Sequence, residues 1–417
     1  MRKKACILSI VLIFWLIVIS VSGTLVFGDD EARFFRNSDN LILGQTHTDH
    51  IRIVIDNDAD FANQGWPGSG DVENPYIIDS LRIDYGQEPC ISISDTTLFF
   101  EIKNCRFERD PYGPADTGIL FDNVINGKVR HCYFEHRDRA IKILDSRNCF
   151  VLENTILSSW GIMLSNSHNC SLVENSVTQN TYAHAIQLTD SYNCTLDFNT
   201  VQSNSQAGFE ISNSTNTNLT RNSALDNTYT GFYIVDSTNC MLYLNSAINN
   251  GNSGFTISRS SNCTIWNNTA NLNSFDGIGL PSSKNCTLIY NNVSNNACFG
   301  IKLGYDSEYN RVYLNRIDMN DEGTAEDDGE SNYWDDGISR GNYWRDYDGH
   351  SNYYYIPGYG HGIDHYPFLW DSVTITSDTT NNSILTGVII LSAGVGISAI
   401  IVVVILVLRK RAAPREG

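Results

Sequence analysis

The stretch Gly231–Asn245, GFYIVDSTNCMLYLN, returns 23 residues later as GFTISRSSNCTIWNN (Gly254–Asn268) and again as GIGLPSSKNCTLIYN (Gly277–Asn291). Each copy opens on Gly, alternates apolar and polar residues, breaks at a Ser and an Asn-Cys-Thr-like turn, then alternates again. Working outward, Cys149, Cys170, Cys194, Cys240, Cys263 and Cys286 are spaced 21, 24, 46, 23 and 23, and the 46 holds two units with Thr217 in the cysteine slot. A second series, Asn154, Asn175, Asn199, Asn222, Asn245, Asn268, Asn291 and Asn315, runs in the same frame. Periods in the twenties mean a solenoid. The units hold no 3.6-residue periodicity but three short alternating pieces each, which predicts three β-strands per coil and an all-β parallel β-helix.

In strand one of each coil, pairs such as Ile162/Leu164, Ile186/Leu188, Phe209/Ile211, Phe232/Ile234 and Phe255/Ile257 point inward, two residues apart as a strand requires. In strand two the cysteine slot and the Leu or Ile two positions on do the same, and strand three contributes one inward residue. Coils with Phe209, Phe232 and Phe255 carry Ala224, Ala247 and Ala270 in strand three, whereas those with Ile162, Ile186 and Ile278 carry Val177, Val201 and Val293. Large with small keeps the packing of a narrow tube constant. The asparagines at the bends are expected to bond turn backbone and one another from coil to coil, about 4.8 Å apart.

The two ends read differently. Met1-Arg2-Lys3-Lys4 and the apolar run Ala5–Val21 form an export segment, residues 1–28, either a cleaved signal peptide or an N-terminal anchor. Ile384 to Leu408 carries no charge and is long enough to cross about 30 Å of hydrocarbon as a transmembrane helix. The basic tail 409–417 with Arg409, Lys410, Arg411 and Arg415 stays cytoplasmic, which places everything between the two segments outside. The organisation read from the sequence is a cap over 29–76, repeats over 77–320, a second cap over 321–370 and a stalk over 371–383. A formal net charge of -19 excludes nucleic acid as a partner, since phosphate binding needs basic patches.

The coils, of the type G-I-x-L-x-x-S-x-N-C-T-[LI]-x-x-N, resemble the right-handed parallel β-helix repeats of NosD-like and carbohydrate-binding/sugar-hydrolase (CASH) domains. So do Trp66-Pro67-Gly68-Ser69-Gly70 through Asn74-Pro75-Tyr76-Ile77-Ile78, and Gly341-Asn342-Tyr343-Trp344-Arg345-Asp346-Tyr347 with His365-Tyr366-Pro367. The resemblance covers roughly Ile51 to Trp370 and implies a right-handed fold. It does not select an activity, because that family includes copper-enzyme maturation proteins, sugar-acting enzymes and many surface proteins.

Candidate sites follow from residue type and slot. The slot three after the cysteine position holds Tyr243, Trp266, Ile289 and Tyr313 in successive coils, outward by parity, and stacked aromatics on a flat sheet suit a sugar or a docking protein. The outward slot of strand one reads Lys142, Met163, Gln187, Glu210, Tyr233, Thr256, Gly279 and Lys302, with no two adjacent acids. Polysaccharide cleavage there would draw on Asp190, Glu210 and Asp236 from neighbouring coils of one face. The cysteine column is either a line of small core residues or a set of disulfides, and the core reading is the expected one.

His47 and His50 at one end, and His350, His361, Asp364 and His365 at the other, are candidate metal ligands, with copper suggested by the NosD resemblance. The acidic run Asp318, Asp321, Glu322, Glu326, Asp327, Asp328 and Glu330, continued by Asp335, Asp336, Asp346 and Asp348, would suit calcium, although the EF-hand spacing is absent. Glycosylation sequons occur at Asn169, Asn193, Asn213, Asn218, Asn262, Asn267, Asn285, Asn292 and Asn381. The expected function is a membrane-anchored surface binding or structural protein with carbohydrate as ligand. A polysaccharide lyase or hydrolase is the competing class, and a copper-handling protein the third.

Overall fold

The computed structural model describes residues 46–84, 86, 88–108, 116–180, 182–369, 386–390 and 403–407. Its strands stack in register into three long parallel sheets, and each coil of the chain passes once through all three. The strand-one sheet has twelve strands, from Ile53–Ile55 to Gly323–Asp327, and the strand-two sheet has eleven, from Tyr76–Asp79 to Arg311–Tyr313. The strand-three sheet has thirteen, from Thr48–Asp49 to Tyr343–Trp344. The expected parallel β-helix is therefore the observed one. Its ends reach further than the periodicity showed: segments assigned to the caps, 29–76 and 321–370, contribute strands to the sheets. The helix Asp58–Asn63 and the Gly/Pro-rich loop after it interrupt the pattern there, so no repeat is visible in the sequence.

The core is one continuous column between the sheets. Phe209, Phe232 and Phe255 stack face to face with ring centroids 4.7 Å apart, and Ala224, Ala247 and Ala270 are buried in the same coils. Cys149, Cys170, Cys194, Cys240, Cys263 and Cys286 are free thiols, buried to within 1% of full occlusion, so the core reading of that column holds. At one end Phe61 of the helix closes the tube, stacking on Tyr76 at 4.8 Å. At the other, Trp334 and Trp344 fill the core, their indole N–H groups donating to Asp327 and Asp364 at 2.8 Å each.

Asparagine ladders hold the bends. From Asn154 through Asn175, Asn199, Asn222, Asn245, Asn268 and Asn291 to Asn315, each Nδ2 donates to the Oδ1 of the next, at 2.9–3.1 Å. Each Oδ1 also accepts a backbone N–H from the preceding coil, as Asn245 does from Asn222 at 2.9 Å. A second ladder, not read from the sequence, links Asn204, Asn227, Asn250, Asn273, Asn296 and Asn320 in the bend between strands three and one. A serine ladder from Ser146 to Ser283 serves the bend after strand one. Buried bends need such partners, because an unpaired backbone group in the interior costs about 1–3 kcal/mol.

The export segment, the stalk, Asn381 and most of the apolar run 384–408 lie outside the described residues. Within that run, Thr386–Ile390 and Val403–Val407 are described, as a separate antiparallel pair. Among the described residues no helix is long and apolar enough to cross a membrane.

Candidate functional site

The outward slot of strand one is in register from coil to coil: Lys142, Met163, Gln187, Glu210, Tyr233, Thr256, Gly279 and Lys302 follow one another up the sheet. Beside it runs the bend that the second asparagine ladder holds, so His184, Tyr229, Phe275 and Asp276 stand as a wall along the sheet. Sheet, wall and the Leu280–Pro281 turn enclose an open groove of about 530 Å³, with Gln206, Thr230, Asn252, Ser253 and Thr256 among its lining residues. Tyr229 is 52% exposed and Phe275 47%. Gly279 leaves the floor low: a Cβ there would meet only Asp276 Oδ2, at 3.7 Å.

Two charged groupings mark the groove's ends. At one, His184 Nε2 lies 3.2 Å from Glu210 Oε2. Burial lowers the His184 pKa, and the nearby Arg139 works in the same direction against the pull of Glu210. Arg139 donates to Gln187 Oε1 at 3.3 Å and to the Trp160 carbonyl at 3.0 Å. At the other end Asp276 is only 4% exposed, and its Oδ1 accepts the Phe299 N–H at 3.1 Å. Burial pushes its carboxyl up to about 6, against that hydrogen bond and the charge of Lys302. Lys302 itself is ion-paired with Glu326 on the next strand.

Of the three carboxylates named from the sequence, only Glu210 stands in this groove face. Asp190 and Asp236 occupy left-handed turn positions, with φ of 53° and 50°. Each lies three residues beyond the slot residue of its own coil, roughly 10 Å along the strand. Asp190 accepts from Asn213, and Asp236 holds Arg259 through contacts of 2.7 and 2.8 Å that lower its pKa. The structure thus does not bring the three together. His184 and Asp276 were missed. Both fill the position two before the first inward residue of strand one, where the intervening coils have Ala207, Thr230 and Ser253; the switch from small residues to titratable ones was the available signal.

The aromatic slot of strand two is as the parity required. Tyr243, Trp266, Ile289 and Tyr313 pair directly across four strands, with the Tyr243 and Trp266 rings 4.6 Å apart and inclined by 34°. Trp266 is 39% exposed, and the next residues of two coils, Leu244 and Tyr290, add exposed apolar surface. Tyr243, Ile289 and Tyr313 are half-buried. This stripe lies on a different sheet from the groove.

The C-terminal histidines and Asp364 do not converge. Asp364 is fully buried, and its oxygens accept the Asn342 and Tyr366 N–H groups as well as the Trp344 indole. His365 pairs with Asp335 at 2.8 Å, His361 with the Tyr355 hydroxyl at 3.0 Å, and the backbone N–H of His350 bonds Asp348 at 2.8 Å. His50 rests against Trp66, at 5.7 Å between ring centroids. Several of the acidic residues serve the cap: Asp318 holds Arg316 and Arg345, and Asp336 accepts three turn N–H groups. Among the described residues, no three His, Cys, Asp or Glu side chains are placed to hold a metal ion. The described sequon residues Asn169, Asn193, Asn213, Asn218, Asn262, Asn267 and Asn285 are exposed, and Asn292 is half-buried.

Three in-register parallel sheets, asparagine-laddered bends and plugged ends define a β-solenoid. The chain belongs to the family described as the right handed beta helix region, whose sequence profile matches residues 68–187 and 160–317. Solved structures with similar coils include a periplasmic alginate epimerase (16% identity, 60% of this chain and 80% of that one, TM-score 0.41). The A-module of an Azotobacter vinelandii mannuronan C-5 epimerase is similar too (14% identity, 76% and 96%, TM-score 0.42). So is the Dettilon tailspike protein (13% identity, 67% and 62%, TM-score 0.45). At these identities the likeness is one of fold. No curated protein sequence matches the chain.

Proposed function

We propose that this β-helix is a carbohydrate-binding protein of the cell exterior, of the NosD-like or CASH kind, held to the membrane by the 384–408 segment. The observation that carries the reading is the Tyr243–Trp266 pair, continued in the same outward slot by Tyr313, with Trp266 exposed. Trp266 is exposed and Tyr243 and Tyr313 are half-buried, and such rings, set by the coil repeat, present C–H-binding faces to sugar rings while each phenol or indole keeps a polar edge for hydrogen bonding. The rings stand on rigid strands, so binding costs little ordering of the protein. The metal-handling alternative lacks support of this kind, because each cap histidine is committed to a separate partner or stands alone.

The test is retention of the full chain, in detergent, on immobilised neutral glycans. Trp266→Ala removes the most exposed ring and should weaken retention about tenfold or more, in keeping with the energetic weight of buried aromatic anchors at interfaces. Unchanged retention by that variant, with the β-sheet circular dichroism intact, would sink the assignment of the stripe.

A further inference from the structure

We propose that the groove on the strand-one sheet is a second ligand site, separate from the aromatic stripe, which takes an oligosaccharide bearing free amino groups, with Asp276 receiving an ammonium. The groove's form suits a sugar chain. It runs along the stacking axis, its rim carries the exposed rings of Tyr229 and Phe275, and its floor and wall offer Tyr233, Thr230, Ser253 and Thr256 hydroxyls. Sugar rings have both C–H faces and hydroxyl edges, and this mixture of aromatic and neutral polar groups meets both.

The charges then select among sugars. The cationic side chains lining the groove are His184 and Lys302. His184 is held toward its neutral form by burial, and Lys302 is already paired with Glu326. Around Asp276 the further charges that act on it are Glu322 and Glu326, both negative, against the single Lys302. A polyuronate would bring its carboxylates to this acidic end, where Lys302, the cation lining it among the described residues, is already held by Glu326. An amine would instead find a buried carboxylate whose Oδ2 lies over Gly279, where the floor has no side chain. The rings of Tyr229, Tyr233 and Phe275 that share the groove add a cation–π contribution. Placing an ammonium beside Asp276 also relieves the strain of a carboxylate kept out of water, since a buried charge is tolerated when paired.

The experiment is calorimetric titration of the full chain in detergent with three hexasaccharides: β-1,4-linked glucosamine, its fully N-acetylated counterpart, and a hexuronate. At about pH 7 the glucosamine hexamer should bind about tenfold or more tighter than either of the others, because only it pairs with Asp276. Asp276→Asn should remove that preference, and Tyr229→Ala, on the exposed rim, should weaken all residual binding without disturbing the fold. Lowering the pH through about 6 should weaken glucosamine binding as Asp276 takes up its proton, a loss that Asp276→Asn should not show. Equal affinity for the acetylated hexamer, tighter binding of the hexuronate, or an unaltered preference in Asp276→Asn would each overturn the proposal. The titrations are made on the Trp266→Ala background, which silences the stripe, so the binding read is the groove's and the two sites fail or stand separately.

Discussion

Burial raises the Asp276 carboxyl from its ordinary 3.8 to about 6, and a shift of that direction fixes how stability must follow pH. The folded chain holds the proton more tightly than the unfolded one, so the associated stabilisation is complete below about pH 4 and is lost as pH rises through about 6. Asp276→Asn keeps the shape and removes the titration. It should therefore match the parent in urea unfolding at about pH 4 and exceed it at about pH 7.5 by something on the order of 2 kcal/mol. An equal change at both pH values would show that the effect comes from the amide itself and not from the buried charge. Asp364 is pushed up to about 6 as well, also by burial. There, however, the carboxylate is met by three N–H donors inside the cap, which marks it as a structural acceptor and separates it from a carboxyl that lines a groove.

At the scale of the coil, core volume is shared between strands one and three. Phe232 and Ala247 occupy one coil, whereas Ile278 occupies a coil with Val293, and all four are buried. Phe232→Ile alone leaves a void between Phe209 and Phe255, and Ala247→Val alone overfills the tube; each should cost about 1–3 kcal/mol. The double variant recreates the Ile/Val pairing found elsewhere and should cost clearly less than the sum, with a coupling of about 1 kcal/mol or more. Strict additivity in urea unfolding would contradict the shared-volume account. This pairing was visible in the sequence because inward residues repeat at a fixed period, and for the same reason the cysteine column, the first asparagine series and the Tyr243/Trp266/Tyr313 stripe were visible too. The groove was not. Its wall belongs to the bend between strands three and one, where coil lengths of 21, 24 and 23 residues shift the frame, and where His184 and Asp276 take positions held by small residues in the coils between them. Register alone placed Glu210 in its slot, but proximity of Asp190 and Asp236 depended on side chains that the turns had already engaged with Asn213 and Arg259. The C-terminal cap, lacking any repeat, hid the role of Asp364 altogether.

For the molecule as a whole, each strand pairs only with those of the adjacent coils, so a stack of eleven strand-two segments makes a rod roughly 50 Å long, stiff along its axis and closed at both ends by aromatic residues. Such a rod presents the stripe and the groove on different sheets, and tethering by one end leaves both reachable. On the membrane-anchored reading proposed above, the charge-free run Ile384 to Leu408, followed by Arg409, Lys410 and Arg411, would supply such a tether at the C-terminal end. Full-length protein should then stay with membranes through an alkaline carbonate wash, while a chain stopped after Asn382 should be released with its β-sheet circular dichroism unchanged. In intact cells an externally added protease should reach an epitope in the 371–383 stalk but not one in the 409–417 tail. Release of the full chain by the wash, or cleavage of the tail epitope in intact cells, would remove the tether and with it the orientation that leaves both faces open.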